Sequence, residues 1–176
     1  MRQLSQNDAL FLASESAHSN SNVSLVTIYD PSTALGGRFQ FKSFLALVQS
    51  RLHRSPVFRQ KLRSVPFGLD EPYWIEDENF DLEYHVRNIA LPKPGDWRQF
   101  CIQTSRIHAR PLDLNRPLWE LYLIEGLDSL LDQVYCFRNV GFRKPSRAFF
   151  DYILQDLRRL AAYPRCWVAM FNRTPS

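Results

Sequence analysis

The feature that most constrains the fold is a short run near the middle of the chain, LWELYLI at residues 118–124. It follows a turn rich in Pro, Asp and Arg (PLDLNR, 111–116), alternates as an apolar strand and ends at Gly126. A strand of this kind folds only when other elements cover its apolar positions. Residues 23–30 (VSLVTIYD) are β-branched and alternating, and read as a strand stopped by Pro31. YWIED from Tyr73 and FDLEYHVRNIAL from Phe80 read as strands or extended edges, with Pro92 and Pro94-Gly95-Asp96 turning the chain after them.

Helical signals lie between the strands. Ser5 followed by Asp8 reads as a capping box opening a short helix over Ala9, Leu10, Phe11 and Leu12. After the break at Gly36-Gly37, the spacing of Phe41, Phe44, Leu45, Val48 and Leu52 predicts an amphipathic helix facing a core. Trp97, Cys101, Ile102, Ser105 and residues 107–109 suit a further helix ended by Pro111. Strands and helices thus alternate without an internal repeat, which favours a mixed α/β layered architecture.

Charge divides the chain. Residues 1–130 hold 14 Lys+Arg against 15 Asp+Glu, a net −1, whereas residues 131–176 hold 8 against 3, a net +5. The overall +4 and pI near 9.1 therefore belong to the tail, and any case for an anionic partner rests there. Cys101, Cys136 and Cys166 form no CxxC and meet no His at metal-ligand spacing. A zinc site or disulfide framework is not expected, and a reducing compartment is the default. The N-terminus lacks the apolar core of a secretory signal, and no run of about 18 apolar residues is present. The expected location is the cytoplasm, with peripheral attachment at the inner membrane surface left open.

Four segments in order carry a resemblance. LSQNDALFLASES at the start, RLHRSPVFRQKL (51–62), GLDEPYWIEDENFDLEYHVRNIALPKPGDW (68–97) and PLDLNRPLWELYLIEGL (111–127) resemble the N-terminal part of the bacterial wax ester synthase/diacylglycerol acyltransferase family over about residues 1–130. The resemblance implies part of the N-terminal half of a CoA-dependent, chloramphenicol acetyltransferase-like two-domain fold, with a mixed sheet and flanking helices. It implies acyl-CoA as co-substrate, with diacylglycerol or a fatty alcohol as acceptor, in triacylglycerol and wax ester synthesis. It also implies a general-base His in an H-H-x-x-x-D-G motif.

That motif is missing. In the family it follows the P-L-W-E strand by a short loop and one more strand, and here that place holds VYCFRNVGFRKPSRAFFDY. The four His are His18, His53, His85 and His108; none follows His108, so Asp151 and Asp156 have no His partner in the tail. The family's second domain is also not found. We therefore expect a truncated relative with no catalytic residue of its own and no cofactor. Residues 1–130 would form the acyltransferase portion. Residues 131–176 would be a divergent basic tail, arising from a shifted reading frame or mis-joined gene end, with a helix over 148–163. The alternative is a non-catalytic lipid-surface or acyl-CoA-binding module, attached to a membrane or lipid-droplet surface. A nucleic-acid partner is not expected, since no readout module is visible.

Among single residues, Pro117, Leu118 and Trp119 match the family's P-L-W and are candidates for the substrate channel, against a plain buried strand start. Arg51, Arg54, Arg59, Lys61 and Arg63 are candidates for CoA or lipid phosphates, against a solvated helix face. Arg116 and Glu120 are expected to pair with each other or with neighbours. His108 is read as a helix-end or packing residue, with Asp113 its partner if it were a base. His85 is read as a structural strand residue, Cys101 as a small core residue, and His18 as part of a polar loop where the family's Met-His-Val-Gly step is broken. No metal ligand is assigned.

Overall fold

The computed structural model describes residues 2–16, 21–29, 40–127, 133–140 and 169–171, the last two segments as backbone only. The expected helix at 148–163, the Gly36-Gly37 break, His18, Asp151, Asp156 and Cys166 lie outside them.

The chain order is β1 (Arg2–Gln3), α1 (Gln6–Ser14), β2 (Asn22–Tyr29), α2 (Phe41–Arg51), β3 (Gln60–Arg63), β4 (Tyr73–Glu76), α3 (Leu82–His85), β5 (Val86–Ala90), α4 (Trp97–Ala109), β6 (Trp119–Glu125), β7 (Gln133–Val140) and β8 (Ala169–Phe171). Two sheets form. The smaller has order β1-β4-β3 and is antiparallel; the larger has order β5-β6-β7-β2-β8. In the larger sheet β5 runs parallel to β6, and every other pairing is antiparallel. This is the mixed sheet with flanking helices expected from the sequence.

The alternation along β6 separates two cores rather than a core from water. Trp119, Leu121 and Leu123 face the cluster built by Phe44 and Val48 of α2 with Leu52, Phe58 and Val86. Tyr122 and Ile124 face the opposite cluster, with Phe100 and Ile107 of α4 and Val26 and Ile28 of β2. Residues 119–124 are all buried, so β6 is an interior strand covered on both faces. A third cluster, Leu4, Trp74, Leu112 and Leu118, joins the small sheet to the start of β6. Gly126, at φ +82°, adopts the left-handed conformation that ends β6.

The local signals explain the helices. Ser5 Oγ accepts from the Asp8 backbone N–H at 3.2 Å, which is the N-cap half of the expected box. Full reciprocity occurs instead at α4: Asp96 accepts from Gln99 N–H, and the Gln99 side chain accepts from Asp96 N–H. Arg110, extended before Pro111, ends that helix as the proline requires.

Four expectations change. Residues 60–63, counted with the end of α2, form β3 against β4. His85 does not lie in a strand: Asp81 caps Glu83 N–H at 2.9 Å and opens a helical turn that His85 closes, so the strand begins at Val86. Cys101 is exposed, because α4 buries Phe100 and Ile107, and Cys101 lies one residue round the helix from that face. Residues 133–140 show no clear period in the sequence, yet they form β7 in the middle of the larger sheet.

Candidate functional site

The P-L-W stretch enters β6 and is fully packed. Pro117, Leu118 and Trp119 are all buried. The Trp119 indole N–H donates to the Phe58 carbonyl at 2.9 Å, and its ring meets Phe58 edge-on at 5.5 Å. On its other side it stacks on His85 at 4.6 Å, and His85 stacks in turn on Phe80 at 5.1 Å. His85 Nδ1 lies 2.8 Å from the Trp119 carbonyl; a carbonyl only accepts, so Nδ1 carries the proton and Nε2 presents a lone pair. His85 is 1% exposed, and among the described residues Nε2 has no hydrogen-bond partner.

Burial pushes the His85 imidazole below its ordinary value of 6.5, and the Trp119 carbonyl, Glu120 and Asp77 pull the other way without cancelling that effect. The folded state therefore binds a proton at His85 less readily than the unfolded state does. Stability from this group is fully present above pH 6.5 and falls as pH drops below that value towards the lowered native one. His85→Gln should flatten the pH dependence of Tm in that window; an unchanged profile would assign the slope to other groups.

The same strand carries a polar cluster on its α4 side. Glu120, 3% exposed, accepts from the Tyr122 hydroxyl at 2.6 Å and from Arg110 at 2.9 Å, and Arg110 also bonds Tyr122. Arg116 does not pair with Glu120: it reaches Asp113 at 3.4 Å and lies over the Tyr84 ring at 4.0 Å. His108 Nδ1 and Ser24 Oγ are 2.8 Å apart, and Asn22 Nδ2 donates to the His108 and Arg110 carbonyls, both at 2.9 Å. Asp113 is not the partner of His108; it accepts from Asn115 and faces Arg116. These contacts pin the end of α4 to β2 and β6. With Ser24 2% exposed and Glu120 accepting from two donors among the described residues, the cluster acts as a brace between α4, β2 and β6.

The brace borders the end of β7. The last residues of β7 pair with the braced strands: Arg138 with both Glu120 and Ser24, Asn139 with Trp119, and Val140 with Asn22. The sequence from Gly141 to Val168 lies outside the described residues.

The basic residues spread over α2, two short 3-10 turns and β3 instead of sharing one helix face. Lys61 is 2.7 Å from Asp77, and Arg59 is 3.8 Å from Glu76. Burial alone would raise the Asp77 carboxyl, but hydrogen bonds from Lys61 and the Asn79 N–H hold it below its usual value. Among the described residues no group of His, Cys, Asp or Glu could hold a metal ion, and no helix is long and apolar enough to cross a membrane.

Sequence reasoning did not single out Asn22, Ser24, Arg110 or Tyr122. The available signal was polar residues at i and i+2 within apolar strands, at Asn22 and Ser24 and at Glu120 and Tyr122.

Comparison with known proteins identifies this framework. Residues 4–130 match the model of the wax ester synthase/diacylglycerol acyltransferase catalytic domain. A Mycobacterium tuberculosis protein (strain ATCC 25618 / H37Rv) named "Probable diacyglycerol O-acyltransferase tgs3" is 42% identical over 126 residues, 72% of this chain and 45% of its own length. Rv3087 of the same strain, provisionally named for the same activity, is 38% identical over 128 residues, 73% of this chain and 27% of its own. The chain thus spans under half the length of these relatives. The solved wax ester synthase/diacylglycerol acyltransferase from Marinobacter aquaeolei VT8 superposes with TM-score 0.67 at 28% identity, covering 88% of this chain and 36% of that one. The starter condensation domain of rhizomide synthetase RzmA, 13% identical, shares the fold with TM-score 0.64, over 88% of this chain and 35% of its own. By sequence and by fold, the chain belongs to the wax ester synthase/diacylglycerol acyltransferase family.

Proposed function

We propose that the chain is a relative of the acyl-CoA-dependent O-acyltransferases of triacylglycerol and wax ester synthesis that does not itself transfer an acyl group. Residues 1–130 carry the acyltransferase portion, in which Pro117, Leu118 and Trp119 are buried at the entry to β6. Residues 131–176 carry a sequence that departs from it. One observation carries this reading: the strand after P-L-W-E, β7, pairs with β6, yet the sequence running out of it is GFRKPSRAFFDY, without a histidine. Deprotonation of the acceptor hydroxyl as it attacks the thioester needs a positioned base, which typically contributes 10²–10⁴-fold.

Purified chain incubated with a long-chain acyl-CoA and diacylglycerol, or a fatty alcohol, should release free CoA no faster than a boiled control. A relative carrying the H-H-x-x-x-D-G motif serves as the positive arm. Ester product formed by this chain above the control would overturn the reading.

A further inference from the structure

We propose that the tip of the β3–β4 hairpin is a docking point on the surface of a zwitterionic or neutral lipid phase. Phe67 is 96% exposed and Leu69 is 80% exposed, two residues apart in the connection between β3 and β4. Phe67 also holds φ +60°, the left-handed conformation that a bulky side chain rarely adopts. An exposed aromatic in a disfavoured backbone conformation serves neither burial nor the local chain, and strain of this kind is retained where something outside the fold uses it.

The tip is preorganised. Pro66 opens a 3-10 turn, with Gly68 N–H bonded to Val65 O at 3.2 Å. Asp70 accepts from Gln3 Nε2 at 2.6 Å and from the Tyr73 hydroxyl at 3.0 Å, which ties the tip to β1 and β4. Leu4 N–H donates to Pro72 O at 2.8 Å beside it. Two apolar side chains therefore project from a fixed base, and little conformational freedom is lost on contact.

Area and charge select the occupant. A buried Phe contributes about 150–250 Å², so this convex pair falls far short of the roughly 800 Å² per partner of a stable protein interface. A lipid surface has no such minimum, because each apolar group that enters adds to partitioning by itself. Around the tip, exposed Arg2 and Arg63 are balanced by Asp70 and Glu71, which suits a zwitterionic headgroup layer better than an anionic one. The choice of a lipid phase rests in part on the acyltransferase reading, whose acceptors reside there.

The test is flotation of the full chain with phosphatidylcholine vesicles, with and without added phosphatidylglycerol, at low and high salt. It reads binding without any acyl transfer, so its outcome is separable from that of the activity assay. Wild type should float with phosphatidylcholine alone, with little response to phosphatidylglycerol or salt. Phe67→Asn with Leu69→Ser should lower partitioning by about tenfold or more, a factor expected when exposed apolar side chains supply the contact. Asn tolerates positive φ, so Phe67→Asn alone should hold or raise Tm while weakening binding, a combination that a purely structural role would not give. Failure of wild type to float, binding that requires phosphatidylglycerol, or unchanged partitioning of the double variant would each overturn the proposal. So would loss of self-association, rather than of flotation, in the double variant, which would make a second copy the occupant.

Discussion

Replacing Trp119 by alanine should destabilise the chain by about 3–5 kcal/mol, the range for removing a buried aromatic from a packed core. The indole fills the space between Phe58 and His85, and its N–H satisfies the Phe58 carbonyl. Alanine would leave a cavity, remove the bond from the indole to the Phe58 carbonyl and take away one of the two rings stacked on His85. Trp119→Phe separates these effects: it keeps most of the apolar volume and loses the hydrogen bond, so it should cost about 1–3 kcal/mol. Urea denaturation of the three proteins measures this directly. If Trp119→Ala were near-neutral, the indole would not be the keystone of the β6 face that the geometry indicates.

The second large effect is expected at Arg110. Glu120 is buried, and its Oε2 receives both the Arg110 guanidinium and the Tyr122 hydroxyl. Arg110→Ala strips a cation from a carboxylate that is 3% exposed. Truncating one partner of a buried pair costs about 3–5 kcal/mol, and because the Arg110 side chain is half-exposed the expected loss is nearer 2–3. Adding Glu120→Gln removes the stranded charge and should recover part of the loss. A double-mutant cycle then gives a coupling energy well above that of a surface pair. Strict additivity of the two substitutions would show that the residues act independently, against the brace described here.

Much of this architecture is legible from residue spacing. Phe44, Val48 and Leu52 mark the core face of α2, and the length and composition of 118–124 mark β6. Its interior position was harder to read, because a strand between two cores and a strand between core and water share the same alternation. Cys101 shows the limit of helical periodicity: a small apolar residue adjacent to the buried face reads as core, but only the packing of Phe100 and Ile107 decides where that face ends. His85 was read as part of a strand because Asp81, whose side chain caps a turn, is also compatible with an extended chain. β7 depends on partners far away in sequence, β6 and β2, and the sheet calls for a strand where the local pattern does not announce one.

The polar brace was largely hidden for the same reason. Arg110, Glu120 and Tyr122 lie close in sequence, but Asn22 and Ser24 meet His108 from more than 80 residues away, and nothing in residue order sets that pairing. The family segments were legible because they are local strings; their failure to continue into a histidine motif was legible too.

We propose that the acyltransferase framework of residues 1–130 leads, from about residue 131, into a sequence that has lost the catalytic motif through a shifted frame or mis-joined gene end. The nucleotide sequence from the codon of Gly126 through the region downstream of Ser176, translated in all three frames, tests it most directly. Another frame is expected to encode a strand followed by H-H-x-x-x-D-G. An uninterrupted frame with no such motif in any of the three, matched by a transcript of this form, would contradict it and make the basic tail a genuine part of the protein.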